Sequence, residues 1–277
     1  MMLQERASLH DYVTHLQARG RVSFTRDEAV EATQLSNTTF LKSAERLQRS
    51  HKLLKPRQGF YVAVPPQFLF WQAPPPSWYI DDLMRHEGRP YYVGLLKAAE
   101  LHGATHHAVM EFQVVTDRQL PKIRAGRSHV VFYFRKEIQP VLPSVERQKT
   151  DTGSMAVSSV ELTCLDLVRY VRAVGGIDAV ATLLADLGNK IDSEKLGALA
   201  PQFERSTIQR LGYLLDYLGH AAAAEHLHRQ LFAQPAVPWV KLAPMRRKGA
   251  ITSVQGEPFE KNERWRIVAQ HVPEIDA

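Results

Sequence analysis

The chain has 277 residues, 44% of them hydrophobic, with 35 Lys and Arg against 29 Asp and Glu and a formal net charge of +6. That length is enough to bury a sizeable core and favours two domains over one, while the positive surplus suits a polyanionic partner without demanding one. The single cysteine, Cys164, excludes an intramolecular disulfide and a thiolate metal cluster within one chain. No stretch approaches the roughly 18 uninterrupted apolar residues of a membrane span. Glu5, Arg6, His10 and Asp11 stand where a secretory signal needs an apolar run, so the expected location is the cytoplasm.

The first 64 residues parse into short, well-punctuated elements. A helix is expected from about Ser8 to Ala18, with Leu9, Val13 and Leu16 on one face and Gly20 as its stop. "VSFT" is β-prone. Thr25 then caps a second helix over Arg26 to Thr33, with Asp27 and Glu28 in the first turn where the helix dipole favours acids. Ser36 is the N-cap of a third helix from Asn37 to about Ser50. "KLLKPRQGFYVAV" reads as two short strands about a turn at "KPRQG", where Pro56 and Gly59 supply the turn chemistry. Three helices and a hairpin in this order make a winged helix-turn-helix.

At 100° per residue, Phe40, Ala44 and Leu47 of the third helix share a narrow arc and face the core, leaving Thr38, Lys42 and Arg49 on the opposite arc with Glu45 and Arg46 at its edges. A helix of this kind lies in a DNA major groove, where Arg and Lys reach guanine edges or phosphates. The N–H groups at its start offer a further phosphate site. Lys55 and Arg57 are expected at the wing tip, placed for an adjacent phosphate or the minor groove. Basic residues are also the ordinary covering of a solvated helix face, and winged helices also serve as protein-binding modules; neither alternative is closed by the sequence.

"VPPQFLFWQAPPPSW", Val64 to Trp78, holds five prolines, which forbid a continuous helix or a central strand. We read 65–77 as a connector, packed because of Phe68, Leu69, Phe70 and Trp71, and 78–277 as a larger mixed α/β domain. Helices are expected over Trp78 to His86 and Gly94 to His102, and strands at "MEFQVVT", ending at Asp117, and at Val130 to Phe134. Two more helices follow, closed by Gly175 and Gly188, then a helical pair containing Ala221 to Ala224, and a β-like ending at Trp265 to Val268. The fold class is therefore α+β.

Catalytic signals in this larger region are sparse. His102, His106 and His107 lack carboxylates or thiols at ligand spacing, so a helix end with its loop, and a hydrogen bond from His102 within the fold, is the expected role. Glu111, Gln113 and Asp117 on a strand loosely suggest a nuclease; such sites require several carboxylates on a hard cation. "TGSMAVSS" reads as a loop, Cys164 as core, and Arg246, Arg247 and Lys248 as a charged loop with a second phosphate contact as the alternative. No glycine pattern for a nucleotide cofactor appears. Neither a cofactor nor a metal is expected, and the chain is read as non-enzymatic, with a DNA-directed nuclease as the alternative.

The blocks "PPPSWYIDDLMRHEGRPYYVGLLKAAELHGATHHAVMEFQVVT", "ELTCLDLVRY", "GGIDAVATLLADL", "IQRLGYLLDYLG" and "NERWRIVAQ" together resemble the AbiEi-type antitoxins, transcriptional regulators of AbiE abortive-infection toxin-antitoxin systems. The resemblance implies a bacterial phage-defence operon whose promoter is repressed by the N-terminal domain through inverted repeats in double-stranded DNA. It implies, too, that the C-terminal domain counters a nucleotidyltransferase-fold toxin without a stable complex. For DNA binding it points to the positions already derived, Thr38, Lys42, Arg46, Arg49, Lys55 and Arg57. It names no residue set for antitoxin activity.

Overall fold

The computed structural model describes residues 8–104, 110–233, 236–243 and 260–275. The chain forms two compact units, the first comprising Met1–Val93, Met110–Gln139 and Glu146–Val157, the second Gly94–Val109, Pro140–Val145 and Ser158–Ala277. The proline-rich stretch is therefore not the boundary between the compact units; it lies inside the first.

The first unit opens as the sequence pattern requires. Helix α1 (Leu9–Ala18) starts at a capping box in which the Ser8 side chain accepts from the Asp11 amide and Asp11 accepts from the Ser8 amide. Strand β1 (Ser23–Thr25) leads into α2 (Arg26–Thr33) through the same device, built from Thr25 and Glu28. Helix α3 (Asn37–Arg49) begins at Ser36, whose hydroxyl accepts from the Thr39 amide at 3.2 Å. Strands β2 (Leu53–Arg57) and β3 (Phe60–Ala63) complete a three-stranded sheet in the order β1-β3-β2. Leu9, Val13, Leu16, Phe24, Phe40, Ala44, Leu47 and Tyr61 form one buried cluster, in which Phe24 stacks on Tyr61 at 5.7 Å and Phe40 meets it edge-on at 5.4 Å.

The connector runs as two single 3-10 turns, Pro66–Phe68 and Pro76–Trp78, each with proline at its start where no amide donor is needed. Helix α4 (Ile80–Glu87) follows, closed by Gly88 in the left-handed region. The rest of the unit is a six-stranded mixed sheet of β4 (Tyr91–Val93), β5 (Glu111–Thr116), β6 (Ile123–Ala125), β7 (Ser128–Phe134), β8 (Val145–Thr150) and β9 (Gly153–Ser158), ordered β6-β7-β5-β4-β9-β8. β5 pairs parallel with β7 and antiparallel with β4, with Tyr92 opposite Val115. Its residues from Phe112 to Thr116 are all buried, so it is covered on both faces rather than alternating between core and solvent. "TGSMAVSS", expected to be a loop, supplies β9, which pairs with β4 through Val93 and Val157. Its small residues fit a central strand position closed in by neighbours.

In the second unit, α6 (Val160–Arg169) is buried from Glu161 to Val168. Helices α5 (Leu95–Leu101), α7 (Ile177–Leu187), α8 (Ser193–Leu199) and α9 (Arg205–Tyr217) pack around it, and α10 (Ala221–Phe232) lies on α8 and α9. A small sheet of β10 (Val240–Lys241), β11 (Glu260–Asn262) and β12 (Ile267–Ala269) is ordered β10-β12-β11. Of the two glycines expected as helix stops, Gly188 follows the last residue of α7 as its C-cap, while Gly175 closes no helix. α6 ends at Arg169, ahead of Gly175, and Gly188 is right-handed; it is small because a Cβ there would stand 2.0 Å from the His220 ring. Trp265 is fully buried, its indole donating to Asp216 at 2.6 Å and pressing on Gly212, where a Cβ would lie 2.1 Å from the ring.

Candidate nucleic-acid interface

The two faces of α3 separate as its periodicity dictates. Phe40, Ala44 and Leu47 are buried, whereas Thr38, Lys42, Glu45, Arg46 and Arg49 are exposed on the opposite side. Arg49 is held by Glu45 at 2.7 Å, one helical turn earlier, with both side chains largely solvated. Lys42 and Arg46 have no acidic partner among the described residues. The helix therefore presents two cations to solvent without internal neutralisation, beside an N-terminus whose Thr39 amide is satisfied by the Ser36 side chain.

The hairpin differs from expectation. β2 continues through Lys55 to Arg57 with an irregular register between Leu54 and Arg57, and the turn is Gln58–Gly59. Pro56 is accommodated because β2 is an edge strand. Lys55 is exposed on this strand, its ammonium 5.9 Å from the Tyr61 ring centre. Arg57 is not at a tip: only 16% of its side chain is exposed. Its guanidinium donates to Glu87 at 2.9 Å and to the Pro121 carbonyl at 2.5 Å, and lies 5.4 Å from the Phe132 ring centre. The turn is engaged as well, since the Gln58 carbonyl is in hydrogen-bond contact with His86 at 3.0 Å and the Gly59 carbonyl accepts from the Arg26 amide at 2.8 Å. A five-donor fork within reach of a carboxylate and a carbonyl closes on them. The structure brings Thr38, Lys42, Arg46 and Arg49 together on one helix, keeps Lys55 on the neighbouring strand, and turns Arg57 into a strut.

The candidates for catalysis are scattered. Glu111 is exposed at the start of β5, and Asp117 beyond its end pairs with Arg89 at 3.7 Å. Six residue steps along the strand separate them by about 20 Å, too far to share a cation. Gln113 is buried between them. Among the described residues no group of three or more His, Cys, Asp or Glu is placed to hold a metal. His102 makes the hydrogen bond within the fold that its position suggested, Nε2 lying 2.8 Å from the Ser158 carbonyl, while its own carbonyl accepts from Lys190. Cys164 is fully buried, which pushes its thiol well above the ordinary range. His106, His107, Arg246, Arg247 and Lys248 lie outside the described residues. No helix among the described residues is long and apolar enough to cross a membrane.

Residues 92–217 match the model of the AbiEi antitoxin C-terminal domain. The resemblance carried by "YYVGLLKAAELHGA" and "IQRLGYLLDYLG" is thereby borne out, since the match opens at Tyr92 and closes at Tyr217. No curated protein matches the chain. Among solved structures, the RV2827C protein from Mycobacterium tuberculosis shares the fold, with a TM-score of 0.65 at 15% identity over 96% of this chain and 93% of that one. The AbiEi match runs from β4 through α9, so it takes in most of the six-stranded sheet and the helices from α5 to α9.

Proposed function

We propose that this protein is the antitoxin of a bacterial toxin-antitoxin operon of the AbiE type and represses its own promoter. The AbiEi match over residues 92–217 supports the antitoxin role. The observation that carries DNA binding is the outward face of α3, where Lys42 and Arg46 stand with no acidic partner among the described residues. In this reading the first three helices and the β2–β3 hairpin are a winged helix-turn-helix, and α3 enters the major groove of an inverted repeat. Thr38, Lys42 and Arg46 face base edges and phosphates, Arg49 shares its charge with Glu45, and Lys55 reaches the backbone from the adjoining strand. Arg57 sets the position of the hairpin and is not itself a DNA contact. The protein acts in the cytoplasm, without a cofactor and without turnover, and antagonises a nucleotidyltransferase-type toxin without forming a stable complex with it.

A titration of the purified chain against its own upstream DNA, with scrambled competitor, at two salt concentrations and with or without Mg²⁺, tests this directly. Tight binding to the specific probe, weakened by salt and leaving the DNA intact, is the expected result. Equal weak binding to both probes, near the roughly 10⁻⁴ to 10⁻⁶ M typical of nonspecific contact, removes the repressor half. Mg²⁺-dependent cleavage abolished by Glu111→Ala replaces it with the nuclease reading.

A further inference from the structure

From Arg118 to Lys136 the chain contains six Lys and Arg, Arg118 included, and no Asp or Glu. The segment folds as β6 and β7, joined by a two-residue turn at Gly126 and Arg127, with Ala125 paired to Ser128. Ile123 and Ala125 are buried, so the strand alternation turns Arg124 outward; Lys122 and Arg127 are exposed too. None of these three cations has an acidic partner among the described residues.

The turn is held in place from behind. Gly126 has φ +58°, and a Cβ there would stand 1.7 Å from the Trp71 carbonyl oxygen, so the connector backbone fits against it with no room for a side chain. The Arg127 guanidinium lies 4.8 Å from the centre of the Phe70 ring, which is itself 76% exposed. An aromatic platform therefore holds a cation at a hairpin tip in solvent.

The position of this hairpin gives it a partner. β6, an edge strand of the large sheet, runs beside β2, the edge strand of the small one, and Arg57 of β2 ties the two by donating to Pro121. β2 packs in turn on α3. The basic surface of α3 thus continues through Lys55 to Lys122, Arg124 and Arg127 along elements in mutual contact. The β2–β3 turn, the ordinary wing tip, is meanwhile occupied by His86 and Arg26.

We propose that the β6–β7 hairpin is the working wing: Arg124 and Arg127, flanked by Lys122, bind phosphates of the same operator duplex that α3 reads. The inference rests on the repressor reading and assigns it a second contact element, outside the N-terminal segment. Charge complementarity and continuity with α3 select duplex DNA as the occupant.

The test is the salt dependence of binding by the full chain to its upstream DNA, with a hydroxyl-radical footprint, for wild type and for Arg124→Ala combined with Arg127→Ala. Removing one phosphate neutralisation flattens the plot of log affinity against log salt by about 0.9, so the double variant is expected to be shallower by about 1.8 and to lose protection at one edge of the footprint. Arg124→Lys with Arg127→Lys keeps both charges and the wild-type slope. Should Arg127→Ala loosen the turn, Arg124→Ala with Arg127→Lys keeps a cation beside the ring and must still flatten the slope by about 0.9. Wild-type slope and footprint in the alanine variants overturn the wing and leave the repressor reading standing. Absence of specific binding by the wild-type chain overturns both. Retention of duplex affinity with selective loss of single-stranded binding in the alanine variants also overturns the assignment, since the hairpin then serves another ligand.

Discussion

The α3 face and the helical unit around Trp265 contain many of the same residue types and use them in opposite ways. On α3, Lys42 and Arg46 reach solvent with no acidic partner among the described residues. In the helical unit, polar groups close on one another. Asp216 accepts from the Trp265 indole and pairs with Arg264 at 3.2 Å, Glu161 accepts from the Asp192 amide at 3.0 Å, His271 pairs with Asp178 at 2.8 Å, and the Gln209 amide donates to the carbonyls of Pro238 and Trp265. Buried polar groups need partners inside the protein, whereas exposed cations without them are free to find phosphates. Asp216, Glu161, Asp178 and His271 are thus engaged within the fold.

Substitutions that exchange these roles break the comparison if it is false. The largest effect is expected at Trp265: its replacement by Ala removes a fully buried aromatic and leaves Asp216 without its indole donor, at a cost of about 3–5 kcal/mol. Urea unfolding followed by circular dichroism measures it, and an unchanged midpoint would refute the packing role. Next come Lys42→Ala and Arg46→Ala, expected to leave the stability against urea within about 0.5 kcal/mol of wild type. A base-reading arginine costs about 1–3 kcal/mol of operator affinity and relaxes specificity at one position, while a phosphate-reading lysine flattens the salt slope by about one unit. Unchanged affinity in both variants sinks the docking of α3. A smaller effect of opposite sign is expected from Glu45→Ala. The exposed pair with Arg49 contributes only about 0.3–0.5 kcal/mol to the fold, and its removal frees a cation and deletes an anion on the face toward the phosphates. Operator affinity should rise, most at low salt; a fall would place Glu45 in direct base recognition.

How far the sequence could be read follows the same division. Thr25 and Ser36 cap the helices they were expected to cap, because capping depends on residues within one turn, and Ser8, expected as the first residue of α1, is its N-cap. The buried set of α3 follows from its period alone. Long-range partners were not legible: nothing local to "KPRQG" announces that Arg57 meets Glu87 and Pro121. β6 has only three residues and pairs with β7 across a two-residue turn, while β9 is low in β-branched residues and pairs with β4 from far along the chain. Gly188 caps α7 as expected, but it is also a seat for His220, a contact across 32 positions of chain that nothing local announces. The candidate interface was readable where one helix carries it, whereas the β6–β7 hairpin proposed to extend it comes from a distant stretch of sequence.

The smallest effect tests whether charges in the first unit, away from the basic face, are closed in the way those of the helical unit are. Asp81 accepts from Tyr91 at 2.8 Å, from Arg147 at 2.6 Å and from Arg85 at 2.9 Å. Burial alone would raise its pKa; the hydrogen bonds from Arg147 and Tyr91, with the charges of Arg147 and Arg85, outweigh that and hold it below the usual carboxylate value. A carboxylate lowered in the folded state contributes stability that is fully present above its unfolded pKa of about 3.9 and is lost as pH falls through the lower folded value. Arg147→Ala removes the chief source of that lowering, so acid unfolding should begin at higher pH, by a fraction of a unit, while operator affinity at pH 7 stays as in the wild type. An acid midpoint that does not move would mean that Arg85 and Tyr91 suffice to hold Asp81. Lost operator affinity in the same variant would be the more serious result, because it would carry the DNA surface to Arg147 and end the division between closed and open charge on which the comparison rests.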